Sequence, residues 1–346
     1  MSLPPVQSET VARAVGGDET PEGGGEELGR DADGNVLESR SPLRIAMDRL
    51  RSDKVALVSM FTVAAFVVIA ILAPVICNIF GVELRSGQPT EDLNIYTGYG
   101  IVGPPEQDFA ASHPFGIEPN TGNDLLAEWL YGSRTSLLVA SIATITTTVI
   151  GIVVGLLAGF SRGWLDRVIS FLIDLFLSFP FLLGALTLAP IVVSRYADQA
   201  DALDQAQFYA LIGILTFFGW MSLARLIRGE VLSLCEREFV QAAQVIGVPT
   251  RAILFRELLP NLVAPIVISI SLGLPAFVTA EATFAYLGIG LTGRPSWGQT
   301  INRATQFFET YPLYLWAPVV GVMLLVLALN LLGDSIRDAF DPKTRR

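Results

Sequence analysis

Residues 55–82 read VALVSMFTVAAFVVIAILAPVICNIFGV, without one charged side chain. A helix rising ~1.5 Å per residue crosses the ~30 Å hydrocarbon core of a bilayer in roughly 20 residues, so this run is long enough to cross once. The same pattern recurs over 135–161, 175–194, 205–224, 258–280 and 310–333. The expected fold is therefore all-α and polytopic, with six transmembrane helices. Composition agrees: of 346 residues 51% are hydrophobic and 16% charged, where soluble chains carry about 25% charged, and the mean hydropathy is +0.52.

Basic residues orient the spans. With the N-terminus inside, only Arg85, Arg134, Arg195, Arg294 and Arg303 of the 23 Lys and Arg residues face outward, the distribution that the positive-inside rule prefers. Both termini are then cytoplasmic. The expected divisions are 1–40, an acidic tail poor in apolar residues that should be disordered and is not a secretory signal; 41–82, an amphipathic helix and the first span; 83–134, an extracytoplasmic segment; 135–336, five spans with the inside loop 225–257; and 337–346, a cytoplasmic tail. The stretch 123–130 reads as a short helix lying in the outer interface with Trp129 at headgroup depth, serving as an outer gate or as an anchor.

Several chemistries are excluded. A net charge of −10 offers no basic surplus to neutralise a phosphate backbone, so no nucleic acid is expected as a partner. The single histidine, His113, rules out a zinc motif with two histidines on one helix face, and beside Pro114 it reads as a loop-packing residue or a periplasmic proton or metal contact. Neither Lys54 nor Lys343 ends a glycine-rich phosphate loop, so ATP should not bind here. Cys77 and Cys235 are read as small apolar fillers. Two carboxylates fall within the spans, Asp174 and Glu281. Charge at mid-bilayer is costly, so each lines a translocation path, bonds a neighbouring helix or, for Glu281, sits at the outer interface. Pro265, Gly273 and Pro275 are expected to break the fifth span beside a cavity.

The inside loop carries the most specific pattern. Glu238, Phe239, Val240, Gln241, Ala242, Ala243, Gln244, Val245, Ile246 and Gly247 run consecutively, with Leu259-Pro260-Asn261 following. Phe239, Ala242, Ala243 and Ile246 recur at helical spacing and predict one short helix with a small apolar face. Gly247 falls where a helix closes in the left-handed conformation. Val248-Pro249 forces an extended step before a second helix from Arg251, and Pro260 suits the entrance of the next span.

These residues resemble the signature loop of the membrane subunits of binding-protein-dependent ABC importers, although Gln241 stands where that family commonly has glutamate and Glu257 where it has an aliphatic residue or histidine. The resemblance extends over residues 41–343 to the C-type subunit of dipeptide and oligopeptide permeases, through Ser41-Pro42-Leu43-Arg44, His113-Pro114-Phe115-Gly116, Gly155-Leu156-Leu157-Ala158-Gly159, Gly163-Trp164-Leu165-Asp166-Arg167, Glu281-Ala282-Thr283, Pro295-Ser296-Trp297-Gly298 and Gly333-Asp334. It implies a type I importer permease fold in the inner membrane and a non-catalytic chain without a cofactor of its own. The implied partners are a B-type permease subunit, two ATP-binding subunits that carry ATP and Mg, and an extracytoplasmic peptide-binding protein. Glu238, Phe239, Gln241, Ala242, Ala243, Ile246, Gly247, Leu259, Pro260 and Asn261 would then form the ATPase contact. Relatives also carry nickel chelates and glycosides, and a self-sufficient proton-coupled transporter using Asp174 is the reading from a different class.

Overall fold

The computed structural model describes residues 42–84, 93–94, 96–161, 163–196 and 198–340; the tails 1–40 and 341–346, with the readings placed on them, lie outside the described residues. Twelve α-helices follow one another along the described chain: α1 (Pro42–Ser52), α2 (Lys54–Phe80), α3 (Leu125–Ser161), α4 (Trp164–Leu177), α5 (Phe181–Tyr196), α6 (Ala200–Cys235), α7 (Glu238–Val245), α8 (Thr250–Ala252), α9 (Leu259–Asn261), α10 (Val263–Tyr286), α11 (Trp297–Ala304) and α12 (Pro312–Phe340). Between α8 and α9 lies a π-helical stretch, Ile253–Leu258. Among the described residues, β pairing is confined to isolated bridges at 93–124.

Five helices, α2, α3, α6, α10 and α12, are long and apolar enough to cross a membrane on their own. The third expected span is different. It divides into α4 and α5, which meet at a bend of 83°. With 14 and 16 residues, neither reaches ~30 Å at ~1.5 Å per residue, so a sixth crossing exists only if the pair acts as one. Pro180 causes the break: it donates no amide hydrogen and pushes Phe179 out of helical geometry. The fifth span corrects the opposite expectation. Pro275 lies within a continuous α10 and Pro265 within its first turn, where the missing amide is one that a helix start leaves unbonded anyway.

Helix ends also overrun their apolar runs. α3 begins ten residues before the expected span, α6 carries Arg225 and Arg228 on to Cys235, and α10 extends past Glu281 to Tyr286. Apolar runs mark where hydrocarbon ends, whereas backbone hydrogen bonding continues into the interface.

The centre of the bundle is the α3–α6 pair. Gly151, Gly155 and Gly159 form a groove four residues apart, and Leu223, Ile227 and Val231 of α6 fill it. A Cβ on Gly155 would stand 2.7 Å from that of Ile227 and 2.8 Å from the Ala224 carbonyl oxygen. Small residues at this spacing let two backbones approach within a membrane, where dispersion and not hydrophobic exclusion drives association. One turn farther out the roles reverse, and Gly219 of α6 receives Thr147 of α3.

α1 is tied to the cytoplasmic end of α12. Asp53 caps α2 by accepting from the Val55 amide at 2.8 Å, and Ser335 of α12 donates to its other oxygen at 2.8 Å. The Ser335 hydroxyl holds the Asp53 carboxyl below its ordinary pKa. Cys77 and Cys235 are buried among apolar side chains, as fillers should be.

Candidate functional site

α6 ends at Cys235, and the turn Glu236-Arg237 hands the chain to α7. Val240 is fully buried and Ala243 half-buried, both packed on the cluster of Leu156, Ile227, Val231, Ile253 and Leu258. The apolar face read from the sequence is thus split: Ala243 turns into the bundle, whereas Phe239, Ala242 and Ile246 point outward with Glu238 and Gln241.

Gly247 closes α7 at φ +84°. The Val248 amide donates to the Ala243 carbonyl at 3.0 Å and the Gly247 amide to Gln244 at 3.1 Å. The first of these is the long hydrogen bond of a Schellman-type turn, which needs a left-handed residue at this place. A Cβ here would meet nothing within 4 Å. Conformation, not space, requires the glycine. Gln241 donates its side-chain amide to the Glu236 carbonyl at 3.2 Å, a bond that glutamate in its place could not give as a carboxylate.

Pro249 is extended at ψ 140° and starts the return helix. In the π stretch the Leu259 amide reaches back five residues to the Leu254 carbonyl, which widens the coil ahead of Pro260, whose ring would crowd the carbonyl four residues back. Asn261 donates to the Glu257 carbonyl at 2.6 Å. Leu259 is half-buried, and Pro260 and Asn261 are exposed. The tip is apolar and bare: Val245 is 87% exposed, Ile246 79% and Phe255 64%. Val245 and Phe255 escaped the sequence reading, because which residue of a short helix faces out depends on the cluster beneath it.

Above this knob, α3, α5, α6 and α10 enclose a cavity of about 450 Å³ lined by hydroxyls and rings, among them Thr144, Thr147, Phe181, Phe218, Ser222 and Ser269. No ionisable residue lines it among the described residues. Asp174 lies outside it, paired with Arg225 of α6. Glu281 follows the lining residue Ala280, but it is fully buried and not at an exposed interface; it lies against Ser136 and Ser296 without a hydrogen-bond partner for either oxygen among the described residues.

The outer end is closed by polar groups. Asp124 caps α3 through the Leu126 and Ala127 amides at 2.8 and 3.0 Å, and His113 Nδ1 lies 2.6 Å from its second oxygen. The histidine therefore packs a loop onto a helix start. Arg303 of α11 meets Glu118 at 2.8 Å and Glu128 at 2.6 Å, while Tyr314 donates to Glu118. Burial works against the charge of Arg303, yet Glu128 and Glu118 outweigh it and raise the pKa of the guanidinium. Trp129 does not sit on a separate short helix. It belongs to α3, packs edge-on or tilted against Phe66, Phe115 and Trp297, and donates to the Ala317 carbonyl at 3.0 Å.

A family model described as the binding-protein-dependent transport system inner membrane component matches residues 151–346, and another, the N-terminal TM domain of oligopeptide transport permease C, matches residues 41–83. The dipeptide transport system permease protein DppC of Alkalihalophilus pseudofirmus is 32% identical over 306 residues, covering 88% of this chain and 91% of that protein. The oligopeptide transport system permease protein OppC of Bacillus subtilis is 28% identical over 317 residues, covering 91% and 94%. In an inward-facing form of the MetNI methionine ABC transporter, one chain superposes with a TM-score of 0.50 at 20% identity, covering 62% of this chain and 96% of that one, which shows a shared fold. With its long apolar helices and matches spanning both halves, the chain belongs to the binding-protein-dependent transport system inner membrane components and is a multi-pass protein of the inner membrane.

Proposed function

We propose that this chain forms half of the translocation path of a peptide importer and that the knob at 238–261 receives the ATPase stroke. The relatives matched over nearly their whole length are named as dipeptide and oligopeptide permeases, and that supports peptides as cargo. A B-type permease subunit would supply the other half of the path, an extracytoplasmic binding protein would deliver the peptide, and two ATP-binding subunits would hold ATP and Mg. This chain then binds no cofactor and catalyses no covalent step.

The observation that carries the reading is the bare apolar tip, Val245 and Ile246, held by a left-handed turn on a knob whose base is packed. Val240, Ile253 and Leu258 share one cluster with Ile227 and Val231 of α6, and those two residues fill the glycine groove of α3. A force on the tip is therefore delivered to the two helices that flank the cavity. In the reconstituted four-subunit complex with its receptor, the double variant Val245→Ser/Ile246→Ser should lose both peptide uptake and peptide-stimulated ATP hydrolysis about tenfold, the size of a truncated interface anchor. Undiminished coupling at wild-type membrane levels would overturn the assignment.

A further inference from the structure

Two ion pairs join α4 to α6, and they are built differently. Asp166 and Arg228 make a two-point contact, with Nη2–Oδ2 at 2.9 Å, and Ser170 adds a third hydrogen bond at 3.2 Å. Their side chains are 16% and 29% exposed. That pair is a clamp. Asp174 and Arg225 meet through one oxygen and one nitrogen, with 66% and 56% of their side chains exposed. This leaves most of the guanidinium's N–H groups and one carboxylate oxygen to other partners.

The open pair lies outside the cavity wall but close to it along the chain. Ser222 and Leu226 line it from α6, and Arg225 lies between them in sequence, one turn from Ser222 and two from the lining residue Phe218, on a neighbouring face. On α4, Asp174 stands one turn before the break at 178–180, beyond which Phe181 lines the same cavity. Arg225 is the first charged residue past the apolar run 205–224 of α6, so the pair stands at the inner mouth of the bundle, where exposed charges face water, a path or another subunit. The cavity wall offers hydroxyls but no charge among the described residues, so a zwitterionic peptide finds no counter-charge for either end there.

We propose that Asp174 and Arg225 form a charge-exchange site for the ends of a zwitterionic peptide, Arg225 taking the α-carboxylate and Asp174 the α-ammonium. The proposal rests on the peptide reading given above. An exposed pair parts at little cost, and each group is partnered before and after the exchange, so the site satisfies its ligand without holding it tightly. The clamp at Asp166 and Arg228 keeps α4 and α6 together while the second pair opens.

The test uses the reconstituted complex in proteoliposomes, with labelled tri-alanine and its C-amidated form as probes and uptake normalised to the amount of each bound by the receptor. Arg225→Gln should lower uptake of free tri-alanine about tenfold, the scale of one charge-assisted contact, and should erase the preference over the amide. Arg225→Lys, which keeps the charge, should retain most uptake and so show that the fold tolerates change there. Wild-type behaviour of Arg225→Gln would overturn the site. If the wild-type complex takes up no peptide with any receptor, the peptide reading fails first and the site with it.

Discussion

At its outer end the chain buries charge, and at its inner end it exposes grease. Glu118 is 1% and Glu128 3% exposed, yet Arg303, Thr121, Asn123, Thr300 and Tyr314 supply partners to one or both of them. Val245 and Ile246 stand almost fully bare on a knob with an ordered base. Buried carboxylates held by several donors make a closed piece of structure, whereas bare apolar side chains on a rigid turn leave a surface that another molecule can cover. The outer carboxylates find their partners within one chain. On the reading proposed above, the inner end is completed by an assembly.

The largest effect should come from breaking the closed end. Arg303→Ala leaves two carboxylates buried without their cation and should cost about 3–5 kcal/mol, read as a lowered unfolding midpoint of the purified chain in detergent. Arg303→Lys should recover part of that, since it restores charge but cannot fork between Glu118 and Glu128 as a guanidinium does. If Arg303→Ala unfolds like the wild type, the outer network is decoration and the contrast collapses.

The spine that joins the two ends comes next. Gly155→Val would drive a side chain into Ile227 and into the Ala224 carbonyl, a backbone atom that cannot swing away. Over-packing of this kind costs about 1–3 kcal/mol, and unfolding in detergent should show it. A Cβ on Gly213 of α6 would meet nothing within 4 Å, so Gly213→Ala is the matched control and should leave the midpoint unchanged or raise it slightly.

Some of the molecule is legible in its residues and some is not. Uncharged runs mark the membrane because every buried backbone group must bond within its own segment there; four of them correspond to single helices, and a fifth, 258–280, to α10 with the short α9 before it. Pro180 is visible inside the third run but weighs less than the run's length; Pro265 and Pro275 point to a break in α10, where the first turn and the helix itself absorb them. Gly247 is legible because a left-handed turn selects one residue type. The outer network is not. Arg303 meets partners 175 and 185 positions away in sequence, and no local pattern pairs residues that only a fold brings together. Ala243 illustrates the middle case: helical spacing places it on an apolar face, but that face divides between the bundle and the solvent.

Gly247→Val tests the hinge between closed base and open tip. A β-branched residue in the left-handed region strains the backbone by about 1–2 kcal/mol, and the turn should relax by tilting the tip rather than by unfolding helices that it does not touch. Peptide-stimulated ATP hydrolysis should fall while the unfolding midpoint of the purified chain moves little. Gly247→Asn, which visits that conformation with less strain, should keep most of the coupling. Equal loss in both variants would mean that the glycine serves close approach by a partner and not the turn.

The smallest effect on stability should belong to the residues whose functional effect is among the largest. Val245 and Ile246 bury little within this chain, so replacing both by serine removes almost no intramolecular packing and should shift stability by under about 0.5 kcal/mol. Serine costs the last turn of α7 little, because its helix propensity is close to that of the residues it replaces. The purified variant should therefore melt with the wild type, and only the assembled complex should reveal the change. An unfolding midpoint that drops as far as that of Arg303→Ala would show that the tip folds back onto its own chain in the absence of partners, and the division between a closed outer end and an open inner one would no longer hold.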